Sequence, residues 1–346
     1  MSWDDRMISE DELLTHMVDQ CDPSLAARVN ALFEQQKKTW PMLAEGYAAF
    51  GAIVTKRIEF EDSFVVVQYN PKRARSTGAA VDKASVSARS CFLCGDSLPI
   101  EEKGIAYGYL TILCNPFPVL DRHLSVVHRG HLEQKISGNV ETLIALAATL
   151  SPDFFVLYNG PQCGASAPDH LHFQACSRAL LPIENTVRRG DPEAHCSACE
   201  ETAAQGLEVF TVTDAGRSVI VFRSNYADEL ARWVYTALAE LSAAQPGVEP
   251  MVNIICTYER RLWTLYLFPR SRHRPASFFA EGSERLTVSP GAIDMAGVIV
   301  VPEREHFDRI GREEVRAIFS EVSLSEDEVN DITGRVCAGM GGEEIQ

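Results

Sequence analysis

Two histidines and a glutamine alternate with apolar residues in the stretch HLHFQA, which spans 170–175. On a β-strand this alternation places His170, His172 and Gln174 on one face and the apolar side chains on the other. An imidazole can act as a nucleophile toward phosphorus at neutral pH, and a neighbouring amide can bind a phosphoryl oxygen without adding charge. The spacing therefore predicts a surface suited to the transfer of a phosphoryl-containing group.

A loop rich in glycine and other small residues precedes the two histidines. It spans 159–169 (NGPQCGASAPD) and directly follows a predicted strand. Such a loop can bring backbone N–H groups close to a phosphate. The alternative interpretation is that both histidines are ordinary strand residues with satisfied hydrogen bonds, but the loop and the histidines together favour a functional site.

The cysteines form a second group with chemical potential. Cys91 and Cys94 (CFLC) have the spacing of a zinc knuckle, because such thiolates can occupy neighbouring corners of a tetrahedron. A second pair with the same spacing, Cys196 and Cys199, lies much later in the chain. A four-cysteine site built from both pairs is one alternative, and reduced cysteines without a metal are another.

The pattern G-x-S-x-x-D-H-x-H-x-Q, with Asn159 upstream, resembles the signature of the transferase branch of the histidine-triad superfamily. In the hydrolase branch a third histidine stands at the position of Gln174. The transferase branch includes galactose-1-phosphate uridylyltransferase, diadenosine tetraphosphate phosphorylase (ATP adenylyltransferase) and the GDP-hexose phosphorylases. The stretch DHLHFQA is most similar to the GDP-L-galactose phosphorylase type. The resemblance covers 64–322 and includes VSPGAIDMAGVIVVPEREHF.

This resemblance implies a role for each residue of the motif. His172 is the expected nucleophile, and Gln174 is the expected ligand of a phosphoryl oxygen. Asn159, Gly164 and Ser166 are expected to form the phosphate loop, and Ser166 is counted with the catalytic residues.

The resemblance also implies how a zinc site would be completed. In the uridylyltransferase pattern two histidines join the C-x-x-C pair, and the matching set here is Cys91, Cys94, His131 and His170. His128 is a close competitor for the place of His131. Zinc is therefore the expected cofactor, with a structural role.

Basic and aromatic residues outside the motif are further candidates for substrate binding. Arg73 and Arg75 (NPKRARS) are predicted to contact phosphate, since the arginine fork suits phosphate oxygens, although a solvated turn is the alternative. A basic cluster over 270–274 is predicted to reach over the ligand. Asn115 and Phe117 (NPFP) are similar to a family loop that holds the nucleotide base, on which Phe117 either stacks or is merely packed.

Hydrophobic periodicity indicates an α+β protein with two similar halves. Strands are predicted over 64–69, 107–113, 124–127, 154–158, 208–213, 218–223, 251–257 and 262–268, and helices over 24–40, 140–150, 227–243 and twice within 312–336. With the resemblance, this predicts two histidine-triad-like halves, each an antiparallel sheet with helices on one face. The predicted division is a helical N-terminal segment 1–60, a catalytic half 61–190 and a degenerate half 191–346, connected over 181–205.

Composition excludes several classes of protein. Hydrophobic residues make up 46% and charged residues 23%, as in an ordinary folded protein. The 32 basic and 48 acidic residues give a formal net charge of −16, which argues against binding to nucleic acid or an anionic membrane. No apolar run reaches the roughly 18 residues of a membrane span, and the acidic N-terminus is unlike a signal peptide. We therefore expect a cytoplasmic protein, as a monomer or homodimer.

The resulting functional hypothesis is a nucleotidyltransferase or phosphorylase that acts on a nucleotide sugar or a dinucleoside polyphosphate. It would work through a covalent nucleotidyl-histidine on His172, with phosphate or a sugar phosphate as acceptor. Hydrolysis of a nucleotide conjugate is the enzymatic alternative. A nucleotide sensor without turnover and a zinc-stabilised structural partner are the non-enzymatic alternatives.

Overall fold

The computed structural model describes residues 2–61, 63–78, 81–179, 181–189, 207–243 and 247–338. Within these ranges the protein has the predicted α+β fold. The strands are β1 (Val54–Glu59), β2 (Phe64–Tyr69), β3 (Gly104–Tyr107), β4 (Leu110–Cys114), β5 (Leu124–His128), β6 (Phe154–Asn159), β7 (His172–Ser177), β8 (Leu207–Asp214), β9 (Arg217–Ser224), β10 (Val252–Glu259), β11 (Leu262–Pro269) and β12 (Val298–Val301).

Helices lie at both ends of the chain and between the strand pairs. They are α1 (Glu10–Leu14), α2 (Leu25–Thr39), α3 (Pro41–Phe50), α4 (Ala74–Thr77), α5 (Lys83–Ser87), α6 (Val140–Thr149), α7 (Pro182–Arg189), α8 (Ala227–Ser242), α9 (Ala276–Phe279), α10 (Ala292–Met295), α11 (Arg304–Arg309), α12 (Arg312–Val322) and α13 (Glu326–Ala338). Ser24 caps α2, as its side chain accepts a hydrogen bond from the backbone N–H of Ala27.

One continuous sheet of nine strands contains both predicted halves. Its order is β3-β4-β5-β7-β6-β10-β11-β9-β8. Each half has two strands, a helix and two further strands along the chain. In the first half the strands pair in the order β4-β5-β7-β6, with α6 between β5 and β6 in sequence. In the second half they pair in the same way, in the order β8-β9-β11-β10, with α8 between β9 and β10. The halves join where β6 pairs antiparallel with β10, so that Asn159 lies opposite Asn253. The predicted repeat is confirmed, and the two sheets are fused edge to edge.

The two faces of this sheet are covered differently. On one face, α2, α6, α8 and α13 pack over an apolar core that includes Phe173 and Ala175 of β7. On the other face lie a second core that includes Cys176, the helices α7 and α12, and a small second sheet. His172 and Gln174 lie on this second face, which confirms the predicted alternation along β7. The prediction that His170 shares the strand is wrong, because β7 begins only at His172 and His170 precedes it.

The second sheet ties the two ends of the chain together. Its order is β1-β2-β12, with β2 antiparallel to β1 and parallel to β12, so that Val66 lies opposite Val298. The predicted N-terminal helical segment 1–60 is thus helical only as far as Phe50 and ends in strand β1. This strand is at a sheet edge and mostly exposed, so it lacks the apolar alternation by which a strand is predicted.

One predicted strand is wrong, and one predicted connection lies only partly within the described residues. A single strand over 107–113 is wrong, because a turn with Gly108 at φ +55° divides it into β3 and β4. The predicted connection 181–205 begins with α7, and its remainder, with Cys196 and Cys199, lies outside the described residues. Among the described helices, none combines the length and the apolarity that a membrane span requires.

Candidate active site and metal centre

His172 is the first residue of β7, and a hydrogen bond from one ring nitrogen fixes the orientation of its imidazole. Its Nδ1 lies 2.8 Å from the backbone oxygen of His170, and because a carbonyl only accepts, Nδ1 carries the proton. The unprotonated Nε2 is then the ring atom with an available lone pair. The ring is buried, with 4% of its surface exposed, and burial lowers the pKa of His172 to about 4. The imidazole is therefore neutral at pH 7, as a nucleophile must be.

Gln134 anchors this strand end to its neighbour. Its side-chain oxygen accepts the backbone N–H of His172 at 2.8 Å. Its amide nitrogen donates to the backbone oxygens of His172 and Asn159 at 3.0 and 2.9 Å. A single buried amide thus joins the start of β7 to the end of β6, and fixes the histidine relative to the phosphate loop.

Gln174 is oriented by a histidine that the sequence analysis did not single out. His123 accepts the backbone N–H of Val119 at Nδ1 (3.4 Å), so its Nε2 carries the proton and donates to the Gln174 oxygen at 2.7 Å. Burial, followed by the charge of Arg73, lowers the pKa of His123 to about 3 and keeps the ring neutral. With its oxygen engaged, Gln174 presents its amide N–H groups to the adjoining cavity, where they can bind a phosphoryl oxygen.

The cavity beside Gln174 is formed by both halves of the chain. The predicted loop residues Asn159, Gly164 and Ser166 line it from the first half, and a segment over 289–294 lines it from the second. Gly164 has φ +94°, and a Cβ on it would lie 2.9 Å from the Cα of Gly291. Only glycine permits this close approach of the two loops.

Hydrogen bonds from the second half also hold the phosphate loop. Asn253 of β10 donates to the side-chain oxygen of Asn159 at 2.8 Å and to the backbone oxygen of Cys163 at 2.6 Å. The backbone N–H of Ala292 donates to the same Asn159 oxygen at 2.7 Å. Because that oxygen already accepts two bonds, the Asn159 amide is left to donate toward the cavity.

Cationic side chains dominate the charged lining of the cavity. Arg73 and Arg274 line it, whereas Asp294 is its one acidic lining residue within the described chain. His273 also lines it, but burial lowers the pKa of this histidine to about 4, so the ring is neutral at pH 7. The two carboxylate oxygens of Asp294 accept the backbone N–H groups of Gly291 and Val300, both at 2.9 Å. In a protein of net charge −16 this is a local basic pocket of the kind that an anionic ligand needs.

Of the other residues predicted to bind substrate, some line the cavity and others do not. Asn115 lines the cavity, and its side-chain oxygen accepts the backbone N–H of Phe117 at 2.9 Å. The ring of Phe117 is 38% exposed and does not line the cavity, but its backbone oxygen accepts a hydrogen bond from Arg73 at 3.0 Å. The side chain of Arg75 lies outside the described ones. Arg270, from the predicted basic cluster, is buried and bonds to Asn253 and to backbone oxygens.

His172 itself does not line the cavity in this conformation. It lies two residues before Gln174 on the same face of β7, between the cavity and a cluster of cysteines and histidines.

The cluster consists of the four predicted ligands Cys91, Cys94, His131 and His170, whose donor atoms all lie within 4.8 Å of one another. Measured from the His170 Nδ1 atom, the Cys91 sulfur lies at 3.3 Å, the Cys94 sulfur at 3.6 Å and the His131 Nδ1 atom at 3.3 Å. Zinc bonds of about 2.0–2.3 Å at tetrahedral angles separate donor atoms by about 3.3–3.8 Å. The donor set and its spacing therefore fit a tetrahedral metal ion such as zinc.

Neighbouring groups orient the histidines of this cluster. The Nε2 atom of His170 lies 2.7 Å from the backbone oxygen of His128, which leaves Nδ1 unprotonated and facing the sulfurs. His128 thus contributes a carbonyl oxygen to the surroundings of the cluster, and its ring is outside it. Asp169 lies 3.9 Å from the Nε2 atom of His131 and 3.1 Å from Arg89, whose guanidinium also donates to the backbone oxygen of Ser166. The cluster and the phosphate loop are therefore physically connected.

Several of these positions were missed from the sequence. Gln134, His123 and Asn253 each act on a partner that is distant along the chain, so no local spacing identifies them. The clearest available signal was that His123 directly precedes a predicted strand in the same half as the motif.

Family comparisons divide the chain near its middle. Residues 32–177 match a family described as a domain of unknown function (DUF4922). Residues 192–342 match a family described as the GDPGP1-like, C-terminal domain. No curated protein matches the chain.

Solved structures of yeast Ap4A phosphorylase share the fold at low sequence identity. Yeast Ap4A phosphorylase in complex with AMP has a TM-score of 0.55 and 17% identity, over 85% of this chain and 97% of that chain. The same yeast enzyme in complex with Ap4A has a TM-score of 0.52 and 15% identity, over the same shares. An ADP-glucose phosphorylase from Arabidopsis thaliana with bound ADP-glucose reaches only 0.34, with 16% identity over 79% of this chain and 100% of that chain. The GDPGP1-like match and the shared fold confirm the predicted resemblance to the transferase branch of the histidine-triad superfamily.

Proposed function

We propose that this protein is a nucleotidyltransferase of the phosphorylase type. Its donor would be a nucleotide sugar or a dinucleoside polyphosphate, and its acceptor phosphate or a sugar phosphate. The observation that carries the proposal is the pairing of an oriented neutral imidazole, His172, with an oriented amide, Gln174, on one strand face beside a cationic cavity. The fold shared with an enzyme named Ap4A phosphorylase supports it.

The proposed reaction has two steps. In the first, the Nε2 lone pair of His172 attacks the α-phosphorus of the donor, a P–N bond forms, and the bridging P–O bond breaks with its electron pair leaving on the departing group, which is a sugar phosphate or a nucleoside polyphosphate according to the donor. In the second, an acceptor oxygen attacks the same phosphorus and the P–N bond breaks. The His172 Nδ1–H bond to the His170 carbonyl disperses the positive charge that the ring carries in the intermediate.

Gln174 and Asn159 would stabilise the charge on the phosphoryl oxygens in both steps. Each has its side-chain oxygen engaged by protein donors, which turns the amide N–H groups to the cavity. An amide cannot act as a general acid or base at neutral pH, so Gln174 would not activate water as a third histidine could. This favours transfer over hydrolysis.

We assign zinc to Cys91, Cys94, His131 and His170. When bound, the ion would supply structural cross-linking, since its ligands come from a loop, from the segment after β5 and from the residue that leads into β7. With its Nδ1 bound to the metal, His170 would be fixed just before β7 and would keep its Nε2–H bond to the His128 oxygen. Its backbone oxygen would then hold the Nδ1–H group of His172.

A nucleotide-binding protein without turnover is the second candidate. The specific observation in its favour is that His172 is 4% exposed and does not line the cavity. Such a protein would bind donors reversibly at Gln174 and Asn159 without forming an adduct.

The intact mass of the protein after brief incubation with donors, but no acceptor, separates these functions. Nucleotide sugars, dinucleoside polyphosphates and nucleoside triphosphates are offered at neutral to alkaline pH, which protects a phosphoramidate. We expect a mass gain of one nucleoside monophosphate in the native protein and none in His172→Asn. Adduct decay on addition of phosphate would indicate phosphorolysis, whereas equal decay in buffer alone would indicate hydrolysis. Binding of donors without any adduct would favour the second candidate.

A further inference from the structure

The first described residues of the chain contact the segments that carry the predicted metal ligands. Met7 forms a parallel bridge with Gly104, and the backbone N–H of Ile8 donates to the oxygen of Gly104 at 3.1 Å. This fixes residues 7–8 to the edge of β3 and places residues 3–6 beside the cysteine loop. We call residues 3–8 the N-terminal strap. It precedes the matched range 32–177.

Trp3 connects the two loops that carry the metal ligands. Its indole N–H donates to the backbone oxygen of Arg129 at 2.6 Å, two residues before His131. Its ring packs with Cys94 against the apolar cluster that contains Cys91, and a Cβ on Gly95 would lie 3.2 Å from the ring. One side chain therefore contacts both the cysteine loop and the histidine segment.

Arg6 holds the cysteine loop from its other side. Its guanidinium donates to the backbone oxygens of Gly95 (3.3 Å), Leu98 (2.7 Å) and Pro99. The residue is only 2% exposed. A buried charge is costly unless its N–H groups are satisfied, and carbonyls of the cysteine loop satisfy these. The loop conformation and the buried guanidinium therefore depend on each other.

Regular secondary structure contributes little to the shape of this loop, although Cys91, Leu93 and Leu98 are buried in an apolar cluster. Cys91 and Cys94 lie outside helices and strands, with one short 3₁₀ turn (Gly95–Ser97) after them. The backbone bonds within it run from Cys94 N–H to the Cys91 oxygen and from Ser97 N–H to the Cys94 oxygen. A thiolate pair on such a loop needs outside support to keep its spacing.

From this geometry we infer that the N-terminal strap is part of the metal site: Trp3 and Arg6 are positioning residues that hold the cysteine loop and the histidine segment at ligating distance. Groups beyond the ligands commonly change metal affinity by about 10–100-fold. Trp3 and Arg6 bond to backbone oxygens rather than to the ligand side chains, so an effect near tenfold is expected. The inference rests on the zinc assignment proposed above and is independent of nucleotidyl transfer.

The test is the rate at which zinc leaves the full-length, zinc-loaded protein for a chromophoric chelator. Trp3→Phe removes one N–H and keeps an aromatic ring, and Arg6→Leu removes the guanidinium. We expect both to release zinc about tenfold faster than the native protein. Arg6→Lys, which can donate to some of the same oxygens, should restore part of the difference. Glu10→Ala removes an exposed ion pair with Arg28 in the same region and should release zinc at the native rate.

A second measurement separates positioning from loss of fold. Far-ultraviolet circular dichroism confirms that each variant is folded at the assay temperature, and the absorption of the Co²⁺-loaded protein reports the ligand geometry. We expect a tetrahedral thiolate–cobalt spectrum for the native protein and for Glu10→Ala, and an altered one for Trp3→Phe. If Trp3→Phe and Arg6→Leu both release zinc at the native rate and give the native spectrum, the inferred role of the N-terminal strap is wrong. If the native protein retains neither zinc nor cobalt, both the metal assignment and the role of the strap are wrong. Zinc retention by a native protein that forms no adduct would contradict only the proposed nucleotidyl transfer.

Discussion

Strands β7 and β11 occupy equivalent places in the two halves of the sheet, yet their second faces carry different side chains. In β7 this face holds His172 and Gln174, which serve the candidate site. In β11 it holds Tyr266 and Phe268, which lie in the apolar core beneath α12. The same strand order thus supports polar chemistry in one half and packing in the other.

The second half has nevertheless kept a role at the site. Its strand β10 supplies Asn253, and its segment 289–294 forms one wall of the cavity. The comparison shows that a repeat which lacks the motif can still hold and complete the site of the other repeat. The two halves are therefore unequal in chemistry and joined in structure, and the following substitutions test each part of that statement.

The largest difference is expected between equivalent strands. His172→Asn should lower turnover about 1,000-fold or more, because it removes the proposed nucleophile. Thr264→Ser, on the same face of β11, should leave turnover within about twofold, since this residue is remote from the cavity. Steady-state rates with the donor that forms the adduct measure both. A large loss in Thr264→Ser would mean that the second half has its own chemistry.

The next effect concerns the oriented amide. Gln174→Ala should slow adduct formation about 100-fold, in line with the loss of one preorganised donor to a transition-state oxygen. His123→Phe should slow it less, as the amide remains but is no longer held by the Nε2 proton. Single-turnover kinetics with saturating donor give both rates. If His123→Phe is the slower of the two, His123 has a direct role of its own.

The contribution of the second half is expected to be smaller. Asn253→Leu removes the donor to the Cys163 backbone oxygen and the acceptor of buried Arg270, and should cost about 1–3 kcal/mol of unfolding free energy because these buried polar groups each lose a partner. Turnover should fall about tenfold through misplacement of the phosphate loop. Denaturant unfolding and kinetics report the two effects. Arg232→Ala, which removes an exposed ion pair with Glu229, is the matched control and should change neither.

The smallest effect is expected at Phe117. Its exposed ring stands outside the cavity lining, and its contact with Arg73 uses only a backbone oxygen. Phe117→Ala should therefore change KM for the donor less than about threefold. Stacking on a base contributes about 1–3 kcal/mol, so a rise in KM of tenfold would instead support the predicted role in base binding.

The correct predictions made from the residues themselves came from patterns over a few neighbouring positions. The period of two along 170–175 was sufficient to place His172 and Gln174 on one face. The metal ligands were identified through the family resemblance, which supplied their long-range pairing. Strand β1 was missed because its exposed edge position leaves no apolar alternation.

Contacts that depend on sheet register lay beyond sequence reasoning. His123 reaches Gln174 because β5 pairs with β7, and Asn253 reaches Asn159 because β10 pairs with β6. Neither pairing leaves a mark in the local sequence. Gly291 is similar: its contact with Gly164 depends on how two distant loops meet.

The parallel pairing of Val66 with Val298 has a consequence for biosynthesis. Strand β2 emerges early from the ribosome, but its partner β12 is among the last strands to be made. The wall over 289–294 emerges just before that partner, so a nascent chain carries its histidines long before it has a finished pocket. Such long-range pairing generally slows folding, and we expect nucleotide binding to begin only after synthesis passes residue 301.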